Sequence, residues 1–118
     1  MYRYYNSNPN NSNIDDCSIR SLSTVLEISW ADAYDLLSDS ARDLGLMMSS
    51  VEAVEEFLDT RYERVLIFEK TVGEFIKNHT RGKFLITMPN HITALVDGYN
   101  YDTFDSSNRP IWSAWYID

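Results

Sequence analysis

The chain is poor in cysteine, proline and glycine, and the shortage of cysteine is the most informative. Its 118 residues contain one cysteine, three prolines and four glycines. A single cysteine excludes a disulfide within the chain and a zinc site built from several cysteines. The free thiol suits a reducing compartment, so the sequence predicts a cytoplasmic location.

Positive charge and long hydrophobic runs are also scarce. The chain has 10 lysines and arginines against 18 aspartates and glutamates, for a net charge of −8. Nucleic-acid binding requires clustered basic residues, whereas these are scattered, so we expect no nucleic-acid partner. No apolar run approaches the roughly 18 residues of a membrane-spanning helix. The polar start MYRYYNSNPNNSN is unlike a signal peptide, and we expect no membrane partner.

The apolar content of the chain is sufficient for a hydrophobic core. Hydrophobic residues make up 44% of the sequence and aromatic residues 14%. This composition predicts a packed domain and not a disordered chain. We expect one domain over residues 1–118, with residues 1–15, rich in Asn, Ser and Tyr, as an extended N-terminal arm.

The first half of the chain has helical patterns. Apolar residues at helical spacing predict a first helix over residues 16–27, with Asp15 or Asp16 as its N-cap. Capping-box sequences predict three further helix starts, at Ser29, Ser49 and Thr71. Gly45 is a stop signal for the second helix. Residues 64–68 have the β-branched and apolar content of a buried strand.

The second half of the chain has strand patterns. Four segments are predicted as strands, at residues 83–88, 91–96, 99–104 and 111–117. Asp97-Gly98 between two of them is a strong hairpin signal. Because helices precede strands, the sequence predicts an α+β fold, with helices packed on one side of an antiparallel sheet. We expect Trp112, Trp115 and Tyr116 in the last strand to belong to the core.

Cys17 is placed where a cysteine can act as a nucleophile. It lies in the first turn of the first predicted helix, where free N–H groups and the helix dipole favour an anion. Such N–H groups can also hold the oxyanion of a tetrahedral intermediate. The neighbouring Asp15 and Asp16 oppose a thiolate. A pairing of Arg20 with Asp16 would remove part of that opposition.

Two histidines are candidates for the base that a nucleophilic thiol requires. His79 lies at a polar helix C-terminus, where a structural role through the helix dipole is the expected one. His91 begins a strand directly after a loop, at the edge of the predicted sheet. His91 is therefore the candidate base.

A carboxylate opposite His91 could orient the imidazole by holding its Nδ1–H. If the hairpin loop has three residues, His91 pairs with Asp105, our first choice. If the loop has two residues, His91 pairs with Phe104, and Asp102 lies on the same face as His91; Asp102 is therefore the alternative. Cross-strand partners have Cβ atoms about 5 Å apart, which is close enough for this contact. A structural alternative for either aspartate is to cap the turn that follows the hairpin.

The order of Cys17, His91 and Asp105 resembles that of the papain-like cysteine peptidase superfamily, including bacteriocin-processing peptidases with an Asp-Cys pair near the start. Three blocks are similar to those of small uncharacterised proteins of phages and Firmicutes: Asp16-Cys-Ser-Ile-Arg-Ser-Leu22, Ser29-Trp-Ala-Asp-Ala-Tyr-Asp-Leu-Leu37, and residues 91–106. The resemblance implies a papain-like fold. It also implies an oxyanion donor about six residues before the cysteine, usually Gln, for which Asn11 or Asn13 is the candidate here.

Together these features predict a papain-like cysteine hydrolase, most simply a peptidase. Cys17 would attack a carbonyl in a peptide or protein substrate, His91 would move the proton, and Asp105 would orient His91. No metal or cofactor is implied. Two alternatives remain open: a non-catalytic interaction or regulatory protein on a degenerate peptidase fold, encoded by a phage or mobile element, and a peptidoglycan amidase or endopeptidase.

Overall fold

The computed structural model describes residues 1–12 and 14–118, within which four helices and six strands form an α+β fold. The helices are α1 (Cys17–Leu26), α2 (Trp30–Leu44), α3 (Val51–Asp59) and α4 (Val72–Asn78). The strands are β1 (Tyr2–Tyr4), β2 (Glu63–Val65), β3 (Lys83–Met88), β4 (His91–Val96), β5 (Tyr99–Asp102) and β6 (Ser113–Ile117). The predicted fold class is confirmed. None of the helices in the described residues is long and apolar enough to cross a bilayer.

Side-chain caps set the starts of the three later helices, and in two of them the cap is the predicted residue. Ser29 accepts the N–H of Asp32 at the start of α2, and Thr71 accepts the N–H of Glu74 at the start of α4. At α3 the cap is Ser50, one residue after the predicted Ser49. These hydroxyls satisfy donors that the first helical turn leaves free. Gly45 ends α2 in the left-handed conformation.

The sheet has the strand order β1-β5-β4-β3-β6-β2, and all neighbours are antiparallel except β1 and β5. The predicted N-terminal arm therefore contributes an edge strand, with Tyr4 beside Asp102. At the other edge, the prediction of a buried strand at 64–68 is wrong. β2 ends at Val65, and Leu66 and Phe68 are 77% and 86% exposed. An edge strand is covered on one side only, so its apolar content does not guarantee burial.

Helices cover both faces of the sheet. On one face, α1, α2 and α3 pack against alternate residues of β3, β4 and β6, including Leu85 and Trp115. On the other face, α4 packs Phe75 against Phe84 and Ile86. The prediction that all helices lie on one side is therefore wrong. Because β3 is covered on both faces, its side chains are apolar almost without interruption.

The β4–β5 hairpin has a two-residue loop. Val96 pairs with Tyr99, and both loop residues, Asp97 and Gly98, have positive φ, 49° and 83°. Two left-handed residues give a turn whose twist matches that of the strands, so the Asp-Gly pair selects this short loop. Continuing the register puts His91 opposite Phe104. The three-residue register, which favoured Asp105 as the partner of His91, is wrong.

Replacing Gly98 should destabilise the hairpin through its backbone conformation. We expect Gly98→Ala to lower the free energy of unfolding by about 1–2 kcal/mol, because a Cβ is disfavoured in the left-handed region. Gly98→Asn should cost less, since Asn tolerates this region better. Urea unfolding measures both. An Asn variant as unstable as the Ala variant would show that crowding against Thr80, whose Cα lies 3.4 Å from the added Cβ, sets the loss instead.

Candidate active site

Cys17 opens into a cleft where several chain segments meet. It is the first residue of α1, is partly buried, and lines a cleft of about 200 Å³. The start of α3, the turn between β3 and β4, and Trp112 form the other walls. A thiol at a helix N-terminus therefore faces a space that can receive a ligand.

His91 lies in the same cleft, held between a carboxylate and an aromatic ring. Its Nε2 donates to Asp102 Oδ2 at 2.6 Å, and its ring packs against Phe104 with centroids 4.6 Å apart. The bonded nitrogen is Nε2 and not the Nδ1 that we expected. Nδ1 is therefore the nitrogen left for the Cys17 thiol, which lines the same cleft.

The surroundings of His91 favour its protonated form. Burial of the ring lowers the pKa of His91, but the hydrogen bonds with Asp102 and Cys17 and the negative charges of these groups outweigh burial. The net effect raises the pKa from its ordinary value of 6.5 to about 9. At neutral pH the ring is therefore an imidazolium.

The structure places Asp102, and not Asp105, against the imidazole. Asp102 is buried, and its second oxygen, Oδ1, accepts the backbone N–H of Thr103 at 2.7 Å. Asp105 is exposed, and its carboxylate accepts the N–H of Ser107 at 3.0 Å. Asp105 thus has the turn-capping role that was its structural alternative. The correction follows from the two-residue loop, since a register shifted by one residue moves every side chain to the other face.

Asp16, which precedes Cys17, forms hydrogen bonds with three other residues. Its carboxylate accepts Arg20 Nε at 2.7 Å, Trp30 Nε1 at 2.9 Å and Asn8 Nδ2 at 3.2 Å. The predicted pairing of Arg20 with Asp16 is confirmed. Asp16 occupies the N-cap position of α1, but its side chain makes no capping hydrogen bond. Its charge is therefore balanced by Arg20, whereas the exposed Asp15 lines the cleft.

Of the two candidate oxyanion donors, only Asn11 lies within the described residues. Asn11 is exposed, has a φ of 52°, and donates its N–H to Asn8 O at 2.9 Å; it does not line the cleft. Asn13 lies outside the described residues. Both assignments stay predictions. The first-turn N–H groups of α1 are the donors nearest in sequence to the sulfur, and the side chain of Asp16 does not cap them.

The aromatic residues near the C-terminus were predicted to lie in the core, and His79 was predicted to have a structural role. Trp112 was expected in the core, yet it is 59% exposed and lines the cleft. Trp115 is fully buried as expected, and Tyr116 is exposed. His79 has the predicted structural role: it stacks on Phe75 at 3.8 Å and donates Nδ1–H to the carbonyl of that residue.

Taken together, the cleft brings a thiol, an imidazole and a carboxylate into one region. Cys17 and His91 line the cleft, His91 is hydrogen-bonded to Asp102, and each of the three comes from a different element. Across residues 1–12 and 14–118, no three His, Cys, Asp or Glu side chains converge as ligands for a metal ion.

Comparison with known proteins adds no relative from which a function could be inferred. Models of protein families, curated proteins and solved structures each gave no match to the chain. The geometry of the cleft is therefore the basis for a functional proposal.

The raised pKa of His91 should make stability depend on pH. The protonated His91 ring stabilises the folded state fully below pH 6.5, and this stabilisation is lost as pH rises through about 9. At about 1.4 kcal/mol per unit of pKa, the raised pKa contributes about 3 kcal/mol to the free energy of unfolding. Urea unfolding of wild type should show this loss, and His91→Gln, which keeps an N–H donor but does not titrate, should lack it. Parallel pH profiles for the two proteins would contradict the prediction.

Proposed function

We propose that this protein is a papain-like thiol hydrolase that cleaves amide bonds in peptide or protein substrates. The observation that carries the proposal is that Cys17 and His91 line one cleft, with His91 hydrogen-bonded to the buried Asp102. A nucleophile, a base within hydrogen-bonding reach and a group that orients the base are the minimum set for covalent catalysis by a thiol.

The chemistry proceeds in two halves. The Cys17 thiolate attacks the substrate carbonyl, and free N–H groups of the first turn of α1 stabilise the oxyanion. His91 gives its Nδ1 proton to the leaving amine as the C–N bond breaks, which leaves a thioester on Cys17. His91 then removes a proton from a water molecule that attacks the thioester and releases the acid. Asp102 keeps the ring oriented throughout through Nε2.

The walls of the cleft favour an apolar side chain in the substrate. Val51, Val54, Met88 and Ile92 line it, together with the exposed ring of Trp112. Apolar walls with a few polar groups are typical of ligand sites. The free thiol that the reaction requires persists in a reducing compartment such as the cytoplasm.

Alkylation of Cys17 by iodoacetamide tests the nucleophile and base without knowledge of the substrate. At pH 6.5 we expect His91→Ala to slow alkylation about tenfold or more, since a free thiol ordinarily titrates near about 8.5 and is almost wholly protonated there. Asp102→Asn should also slow it, whereas Asp105→Asn, a matched carboxylate in the same loop region, should not. Equal rates in wild type and His91→Ala would instead favour a non-catalytic interaction protein.

Hydrolysis itself can be measured with a library of fluorogenic peptides. We expect cleavage that is lost in Cys17→Ala and is reduced at least about 100-fold in His91→Ala, because general acid–base catalysis contributes about this much. Peptides with an apolar residue near the cleaved bond should be preferred. Cleavage that survives in Cys17→Ala would show a contaminating peptidase and would contradict the proposal.

A further inference from the structure

The guanidinium of Arg20 lies between two buried carboxylates. Its Nε is 2.7 Å from Asp16 Oδ1, and its Nη1 is 3.7 Å from Asp102 Oδ1. The side chains of Asp16 and Asp102 are only 2% and 3% exposed, and that of Arg20 is 11% exposed. Two buried carboxylates without a cation would carry a large desolvation cost. Arg20 therefore supplies the positive charge that both of them require.

Arg20 also contacts the chain segment that supports His91. Its Nη1 donates to Thr103 Oγ1 at 3.0 Å, a contact between residues 83 positions apart. The backbone N–H of Thr103 in turn holds Asp102 Oδ1, and the next residue, Phe104, packs against the His91 ring. Arg20 of α1 thus contacts Asp102 and Thr103, two neighbours in the segment that supports the imidazole.

This connection links the nucleophile to its base. Cys17 begins α1, and Arg20 follows it within one helical turn on the same rigid element. The residues that Arg20 approaches belong to the sheet: Asp102 ends β5, and its partner His91 begins β4. Arg20 is fixed in turn by Asp16, which Trp30 and Asn8 hold from the far side. The position of α1 relative to the 102–104 segment is therefore set by a chain of directional contacts.

We propose that Arg20 is a positioning residue, which ties α1 to residues 102–104 and so keeps Asp102 against His91 and His91 against Cys17. The catalytic consequence rests on the proposed thiol hydrolase, but the tie itself can be tested without any activity. A planar guanidinium can reach two acceptors in different directions, whereas an ammonium cannot span both.

The test must separate position from charge. The charged and titratable groups around His91 are Asp102 from β5 and Cys17 from α1. Arg20 lies beyond Asp102, and Asp15 and Glu55 line the cleft. Removing a positive charge would by itself raise the pKa of His91. We therefore choose two variants that keep the formal charge, Arg20→Lys and Thr103→Val. Arg20→Lys removes the guanidinium that reaches both Thr103 and Asp102, and Thr103→Val removes the hydrogen bond between Arg20 Nη1 and Thr103 Oγ1.

The measurement is an NMR titration of the two histidine rings, with His79→Gln used to assign the His91 signal. In both variants we expect the pKa of His91 to fall from about 9 toward 6.5, because a less firmly held Asp102 bonds the ring less well. Arg42→Lys is the matched control: Arg42 is exposed on α2, pairs with Asp39, and should leave the titration unchanged.

The outcomes are distinct. If the variants are folded and His91 still titrates as in wild type, Arg20 has a structural role only and the proposal is overturned. If Arg20→Lys does not fold, Thr103→Val decides alone, since it leaves the Asp16–Arg20 pair intact. Failure of the hydrolase proposal has a different signature, namely Cys17 alkylation in wild type that does not depend on His91. A lowered His91 pKa in the variants would support the tie even then.

Discussion

The register of β4 against β5 is the constraint on which the candidate site depends. Asp97 and Gly98, both with positive φ, close the hairpin in two residues. That length brings Asp102 to His91 and leaves Asp105 in an exposed turn. One additional residue in the loop would have paired His91 with Asp105 and moved Asp102 to the opposite face of the sheet. The backbone conformation at Asp97, five residues before Asp102, therefore decides which carboxylate contacts His91.

Charge in the interior is balanced locally although the chain as a whole is acidic. Asp16, Arg20, Asp102 and His91 alternate in sign along a set of contacts that ends at the Cys17 thiol. Each buried charge meets an opposite charge or a directed donor, as burial requires. The balance also resolves the unfavourable Asp-Cys pair in the sequence, because Asp16 is held by Arg20, Trp30 and Asn8.

The cleft forms where elements end. Cys17 begins α1, Ser50 caps α3, and His91 begins β4. Element ends carry free backbone groups and irregular backbone, so polar side chains can be exposed there without disturbing the core. The same location gives Trp112 an exposed ring just before β6, while Trp115, three residues later, fills the core.

The sequence by itself determined the α+β class, the helix starts at Ser29 and Thr71, the strands at 83–88 and 91–96, and the candidacy of Cys17 and His91. These depend on local patterns: capping, periodicity and turn residues. Only the tertiary structure decided between Asp102 and Asp105, placed α4 on the second face, and left Leu66 and Phe68 exposed. The reason is physical. Strand register, the sheet face that a helix covers and the position of a strand at the sheet edge all depend on two segments together. The residues of one segment do not specify which neighbour covers it.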